Sequence, residues 1–360
     1  MIDTRIPWIE LSQSGQGWQA IFACQFCVQP FEILQKNRWG FNAAALMTEA
    51  LDRQKLFLES QFHGDPFSEP RHETSLALRC TQIPGEGLLL ALIGMVKAAR
   101  QDEARENALE YCYELTSTFP HDYKIYPATT PQAFGKLTGR TLLANCQSPQ
   151  SVAQLMRFEK QIRTQHGLAY VIGFWQTSDH SDEQTWRTLG NYPRPAMLNI
   201  SLRPTILEGE ERQFLWDMKT VIVPFENVSQ IHPAQPFDKW TEPFLERRLN
   251  PWKRYYLMQV HLLAPTGVTD SLARPIGTAL TRETADLLSP GFLTVYPAND
   301  MTAHQWRERV EKIEIIPIHS TSLSRLGDLV DLNEAHSVFR FPFLSEAGLP
   351  GVKFIEPIEQ

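Results

Sequence analysis

The chain predicts an α+β protein: two tandem ferredoxin-like (βαββαβ) units with antiparallel sheets, the second unit carrying a helical insertion. Three observations predict it. Apolar patterns of period 2 and period 3.6 succeed one another in the order βαββαβ, and then do so again. The turn Pro84-Gly85-Glu86-Gly87 joins two apolar runs as a hairpin would. In the second unit the middle strands are separated by about 50 residues, Pro204 to Lys253, long enough to fold as a helical insertion.

The first unit occupies residues 1–127. Trp18, Ala20, Phe22, Cys24, Phe26 and Val28 fall on one face of a strand. Phe41 to Gln61 carries a helical stripe of Ala43, Leu46, Met47, Ala50, Phe57 and Leu58. A strand with Leu76, Leu78 and Cys80 leads into the hairpin, and Leu88 to Val96 returns as its partner. A helix over 102–119 presents Ala104, Ala108, Cys112, Leu115 and Phe119, and Tyr123 to Tyr126 closes the unit. Residues 128–163 read as a connecting segment with two short helical patterns.

The second unit, 164–298, opens on the apolar run Leu168 to Trp175, read as a central strand. Ser181 and Gln184 have capping-box spacing at the head of a short helix with Trp186 and Leu189. Strands at 196–202 and 255–263 flank the insertion 204–253, whose ends, 210–219 and 240–249, look helical and whose aromatics include Phe214, Trp216, Trp240 and Trp252. A helix at 271–285 and a strand at 292–296 complete the order. The remainder, 299–360, reads as a C-terminal arm: a helix at 302–312, a strand-like 313–318 and a connecting stretch at 320–333.

Composition narrows the function classes. With 42% hydrophobic and 21% charged residues the chain is ordinary globular material, and its net charge of -7 runs against a dedicated binder of bare nucleic acid, leaving nucleic acid as an indirect partner only. No apolar run approaches the roughly 20 residues of a membrane span, so no membrane insertion is expected. The N-terminus lacks a signal-peptide pattern, and five cysteines fit a reducing compartment; the expected location is cytoplasmic.

The candidate chemical motifs weigh against catalysis. Cys24-Gln25-Phe26-Cys27 has metal half-site spacing, but on a strand its two sulfurs point to opposite faces. Gly135-Lys136-Leu137-Thr138-Gly139-Arg140-Thr141 lacks the earlier glycine and the hydroxyl residue of a phosphate loop. His121-Asp122 reads as a turn, and Asp179, His180, Asp182 and Glu183 as the charged head of a helix. His261 lies mid-strand and faces either core or partner. No nucleophile elbow and no metal-ligand histidine pair is present, so the expectation is a non-enzyme with no catalytic residue, no cofactor and no metal.

The C-terminal arm carries the least ordinary segment: aromatics, a cation and rigid prolines in Phe339-Arg340-Phe341-Pro342 and in Leu349-Pro350-Gly351. Phe339, Arg340, Phe341, Pro342, Leu349 and Pro350, with Trp240 and Trp252 of the insertion, are the expected partner-binding residues. On that reading a chain truncated after Asn333 folds but loses its partner. Glu334-Ala335-His336-Ser337-Val338-Phe339-Arg340-Phe341-Pro342, followed by Gly348-Leu349-Pro350-Gly351, resembles the junction that precedes the motor in HerA/FtsK-type DNA-translocating ATPases related to conjugative type IV secretion. The resemblance extends over about residues 160–351, and the nucleotide-binding motor of that family has no counterpart in this sequence. It implies a noncatalytic assembly or docking module that meets a ring-forming ATPase or copies of itself. The alternative is an RNA-binding tandem ferredoxin-like protein of a CRISPR-type effector complex, using an open sheet face.

Overall fold

The structure is a computed structural model that describes residues 6–15, 17–30, 43–62, 73–164, 167–177, 181–217, 245–250, 254–281, 291–317, 324–344, 349 and 351–358. Its strands are β1 (Glu10–Ser14), β2 (Gly17–Val28), β3 (Glu73–Ile83), β4 (Gly87–Ala98), β5 (Tyr123–Pro127), β6 (Val152–Arg157), β7 (Glu159–Thr164), β8 (Gly167–Ile172), β9 (Ala196–Thr205), β10 (Tyr255–Leu263), β11 (Phe292–Val295) and β12 (Leu329–Asp331). Its helices are α1 (Ala43–Glu59), α2 (Gln101–Thr118), α3 (Pro131–Leu137), α4 (Arg140–Asn145), α5 (Ser181–Gly190), α6 (Asp270–Leu280), α7 (Asp300–Lys312) and α8 (Leu332–Val338), and residues 209–217 are also helical.

Among the described residues, ten strands form one antiparallel sheet in the order β1-β2-β4-β3-β9-β10-β6-β11, with β5 on β2 and β12 on β10. The chain is therefore mixed α+β, and the two halves share a single sheet. Their seam is β3 against β9, from Leu76 opposite Leu202 to Gln82 opposite Ala196. Either side of it the strand order is the same: β5-β2-β4-β3 in the first half and β11-β6-β10-β9 in the second.

One face of the sheet is apolar. Ala20, Phe22, Cys24 and Phe26 of β2, Leu76 and Leu78 of β3, and Leu198, Ile200 and Leu202 of β9 are buried beneath α1, α2, α5, α6 and α8. Gly94 of β4 lies directly opposite Phe22, and a Cβ there would sit 2.2 Å from that ring, so glycine is what lets the ring lie flat across the sheet.

The opposite face is covered too. Ala133, Phe134 and Leu137 of α3 pack on Ile21, Ala23, Ala91 and Ile93, while Leu142 and Leu143 of α4 and Trp306 and Val310 of α7 pack on Val152, Met197 and Leu263. Covering both faces explains the unbroken run Leu88 to Val96, since a strand buried on both sides has no polar side to alternate with.

Across this second face runs a row of polar residues set by strand register: Gln25, Arg79, Asn199, His261 and Gln154, with Ala91 between the first two. All five are buried. Arg79 donates to Asn199 Oδ1 (2.9 Å), to the Thr138 carbonyl (2.5 Å) just past α3, and to the Val310 carbonyl (2.6 Å) in the last turn of α7. It thereby satisfies carbonyls at two helix C-termini, the end of the dipole that favours a cation. Burial pulls its guanidinium pKa down to about 9, partly offset by Glu311.

The structure departs from the sequence expectation in four places. Residues 128–163 are not only connective: after α3 and α4 the chain enters the sheet as β6, between β10 and β11. The polar Gln154 and Arg157 hide that strand from a hydrophobicity reading because both are buried, Arg157 against Glu334 and the Leu326 carbonyl. The apolar run 168–175 is not a central strand: among the described residues β8 pairs only with β7, in a separate two-stranded sheet. Residues 313–317 are not a strand, because Ile313 adopts φ 56° and caps α7; further on, 324–338 forms a 3-10 turn, β12 and α8 rather than a connecting arm. β1 is an element without a sequence expectation.

Replacing Arg79 by Ala leaves Asn199 Oδ1 and the Thr138 carbonyl unmatched and the Val310 carbonyl with only the Ile313 N–H (3.4 Å), and a loss of about 3–5 kcal/mol is expected in urea unfolding. Lys136→Ala, which removes only an exposed pair with Glu86, is expected to cost under about 0.5 kcal/mol in the same assay.

Candidate docking strap

The segment singled out near the C-terminus is built into the body of the protein. α8 begins with a reciprocal capping box: Glu334 N donates to Asp331 Oδ1 (2.9 Å), and the Asp331 N–H points back to Glu334 Oε2 (3.4 Å). The Glu334 carboxylate also lies between two arginines, Arg157 of β6 (3.4 Å) and Arg248 near the end of the insertion (2.5 Å). All three side chains are buried. Arg157 also donates to the Leu326 carbonyl and Arg248 to the Leu329 carbonyl (2.8 Å). Burial, and then the neighbouring Arg248, lower the Arg157 pKa.

Beyond α8 the chain crosses to the first half. Phe341 sits among Phe26 (5.0 Å between ring centres), Phe119 (5.1 Å), Tyr123 (5.4 Å) and Phe57 (5.8 Å), with Phe339 at 5.9 Å. Tilted and edge-on contacts of this kind add to simple area burial. Gln54 of α1 fixes the backbone here. Its Oε1 accepts from Phe341 N (2.9 Å), while its Nε2 donates to Tyr123 Oη (2.8 Å). Further along, Leu88 N donates to the Lys353 carbonyl and Ile355 N to the Leu88 carbonyl. Gln25 then grips the chain from the second face of the sheet, donating to the Ile355 and Glu356 carbonyls and accepting from Ile358 N.

The expected partner-binding residues divide accordingly. Phe339 and Phe341 are at most 1% exposed, and Arg340, Pro342 and Leu349 are also buried. These five are buried within the chain itself. The reason is elementary: two phenylalanines gain as much from an intramolecular aromatic seat as from a partner's, without the entropy cost of association. Pro350, Trp240 and Trp252 lie outside the described residues. Of the insertion's aromatics, Trp216 is described and about half exposed.

Cys24 points into the apolar core beside α2, and Cys27 lines a cleft of about 360 Å³ with Lys124, Tyr126 and Glu356. Burial pushes the Cys27 thiol up to about 11, away from a reactive thiolate, although Lys124 acts the other way. Residues 135–141 are the end of α3, a left-handed turn at Gly139 and the start of α4. Asp122 receives a two-pronged pair from Arg53, both contacts at 2.7 Å. His261 is buried in the polar row, its pKa lowered to about 3 by burial and then by Arg309 and Arg79. Asp179 and His180 lie outside the described residues. Among those described, no cluster of three His, Cys, Asp or Glu residues is placed to hold a metal ion, and no helix is long and apolar enough to cross a membrane.

No protein-family model matches this chain, and no curated protein matches it significantly.

Two measurements probe the strap. Phe341→Ala removes the central ring of the aromatic seat, and a loss of about 3–5 kcal/mol is expected by thermal or urea unfolding. His336 of α8 is held to a pKa of about 3 by burial, then by Arg340 and Lys55, against an ordinary 6.5. A depressed pKa means the unfolded chain binds the proton more readily. The stability this group contributes is thus complete above about pH 6.5 and lost progressively as pH falls toward 3. His336→Gln is expected to flatten the acid side of the stability profile by up to about 1.4 kcal/mol per pH unit, measured by urea midpoints between pH 7 and 4.5.

Proposed function

We propose that this chain is a noncatalytic assembly or docking module for a ring-forming ATPase of the HerA/FtsK type, residing in the cytoplasm and built from two ferredoxin-like units that share a sheet edge. The unit reading is supported by the repeated strand order on either side of the β3–β9 seam, with β6 rather than 168–175 as the first strand of the second unit. The functional reading is carried by one observation. The segment that resembles the pre-motor junction is keyed to both halves at once, through Glu334 to β6 and the insertion and through Phe341 to the first half. A junction anchored in this way holds the body at a defined angle to whatever it meets, which is what a guiding module requires and what a flexible tether does not supply.

On this reading the partner meets exposed surface around the strap and the insertion, with the buried aromatics acting as internal anchors. The RNA-binding alternative needs an open sheet face, and the second face here lies under α3, α4, α7 and residues 355–358.

Co-expression of the full chain with a HerA/FtsK-type ATPase from the same organism, followed by affinity capture and sizing, is expected to yield a stoichiometric complex. Assembled ATPase rings that leave the chain behind would overturn the reading, as would ATP turnover by the pure chain. Truncation after Asn333 is expected to abolish cooperative unfolding, because it removes Glu334, Phe339 and Phe341 from the core.

A further inference from the structure

We propose that Cys24 and Cys112 are a latent disulfide-forming pair that, when oxidised, fastens α2 to the sheet. The two sulfurs lie 3.9 Å apart across the β2–α2 interface. Closing a bond of about 2.05 Å asks for roughly 1.9 Å of sulfur movement, within reach of side-chain rotation and a small helix shift. The approach is a property of the packing. Ala104, Ala108 and Cys112 recur every four residues along the buried face of α2, so small side chains bring the helix close to β2 and β4. Cys27 is on the other side of the same strand, lining the cleft, and is excluded as the partner of Cys24.

In the reduced state the contact is a weak S–H···S hydrogen bond, and that bond together with burial raises the Cys24 pKa well above its ordinary value. Both thiols are fully buried, so the reaction waits on local opening of α2. The oxidant class is a small peroxide. One sulfur, as the thiolate, attacks a peroxide oxygen, breaking the O–O bond to give a sulfenic acid and, after protonation, one water. The second sulfur then displaces the hydroxyl, forming the S–S bond and releasing the second water. Two thiols are thereby oxidised to one disulfide, and one hydrogen peroxide is reduced to two waters. The bond would link positions 88 residues apart, a span whose closure restricts the unfolded chain substantially.

The experiment uses the full native chain, treated with hydrogen peroxide, then denatured without reductant, alkylated and digested for mass spectrometry. The expected product is a Cys24–Cys112 linked peptide carrying two hydrogens fewer than the separate peptides. It should appear more slowly than modification of the half-buried Cys27. The thermal midpoint of the oxidised chain is expected to rise by several degrees and to return on reduction, with neither effect in Cys112→Ala. Recovery of Cys24 and Cys112 as alkylated thiols or as unlinked sulfinic acids would overturn the proposal. So would a Cys24–Cys27 link, or an oxidised chain that melts no higher than the reduced one. Because the link and the midpoint are read on the unsubstituted chain, a poorly folding variant leaves the outcome decided.

Discussion

The architecture depends on how the buried polar row of the sheet's second face finds its partners. Gln25, Arg79 and Asn199 stand on a surface with no access to water, where each donor or acceptor left unmatched costs on the order of 1–3 kcal/mol. Strand backbones cannot supply those partners, since their groups are consumed by the ladder. Asn199 is met by side chains on the strands, Arg79 and Ser201, while the other partners of Arg79 and those of Gln25 come from places where regular structure stops: the carbonyl just past α3, the last turn of α7, and the irregular chain at 355–358. Gln19 and Gln259 extend the pattern, donating to the Lys312 and Ile316 carbonyls respectively. The covering layer is thus located by hydrogen bonds to its ends as much as by the apolar contacts beneath it.

The strap divides its work between two kinds of interaction. Phe339 and Phe341 supply driving force, roughly 1.5–3 kcal/mol each from burial alone. The Arg157–Glu334–Arg248 group supplies position. A buried ion pair returns little net stability once desolvation is counted, but it is costly to misalign. Since one carboxylate also closes the capping box of α8, the helix, β6 and the end of the insertion are held in one geometry. Arg325 adds to this corner, pairing with Glu208 and, at 3.1 Å, with Glu211, whose carboxyl burial raises to about 7.

Much of the element order was legible from residue patterns, most clearly where one face is apolar and the other was expected to be open, as in β2 and α2. Legibility failed where polar residues are buried. β6 gives no strand signal because Gln154 and Arg157 look like loop residues until the layers that receive them are known. The run 168–175 misleads for the converse reason: apolarity marks burial or pairing without saying in which sheet. The strap was recognised as unusual from Phe339, Phe341 and Pro342, yet composition cannot tell an internal seat from an external one. Arg79 carries no sequence signal, and Glu334, though it opens the segment that carries the resemblance, gives none of its place in the core, because a lone charge in a strand or short helix has no pattern that distinguishes a core anchor from a surface residue.

The seating of Phe341 has a consequence for the order in which the protein is made. The aromatic cluster of the first half is assembled from residues 26, 57, 119 and 123, all of which leave the ribosome early, and from a ring that arrives more than two hundred residues later. Until translation reaches it, the nascent first half carries an unfilled apolar recess and an unpaired β3 edge, the kinds of surface that invite premature association. Synthesis from N- to C-terminus therefore leaves the first half waiting on β9 and the strap, and its maturation is the last step rather than the first.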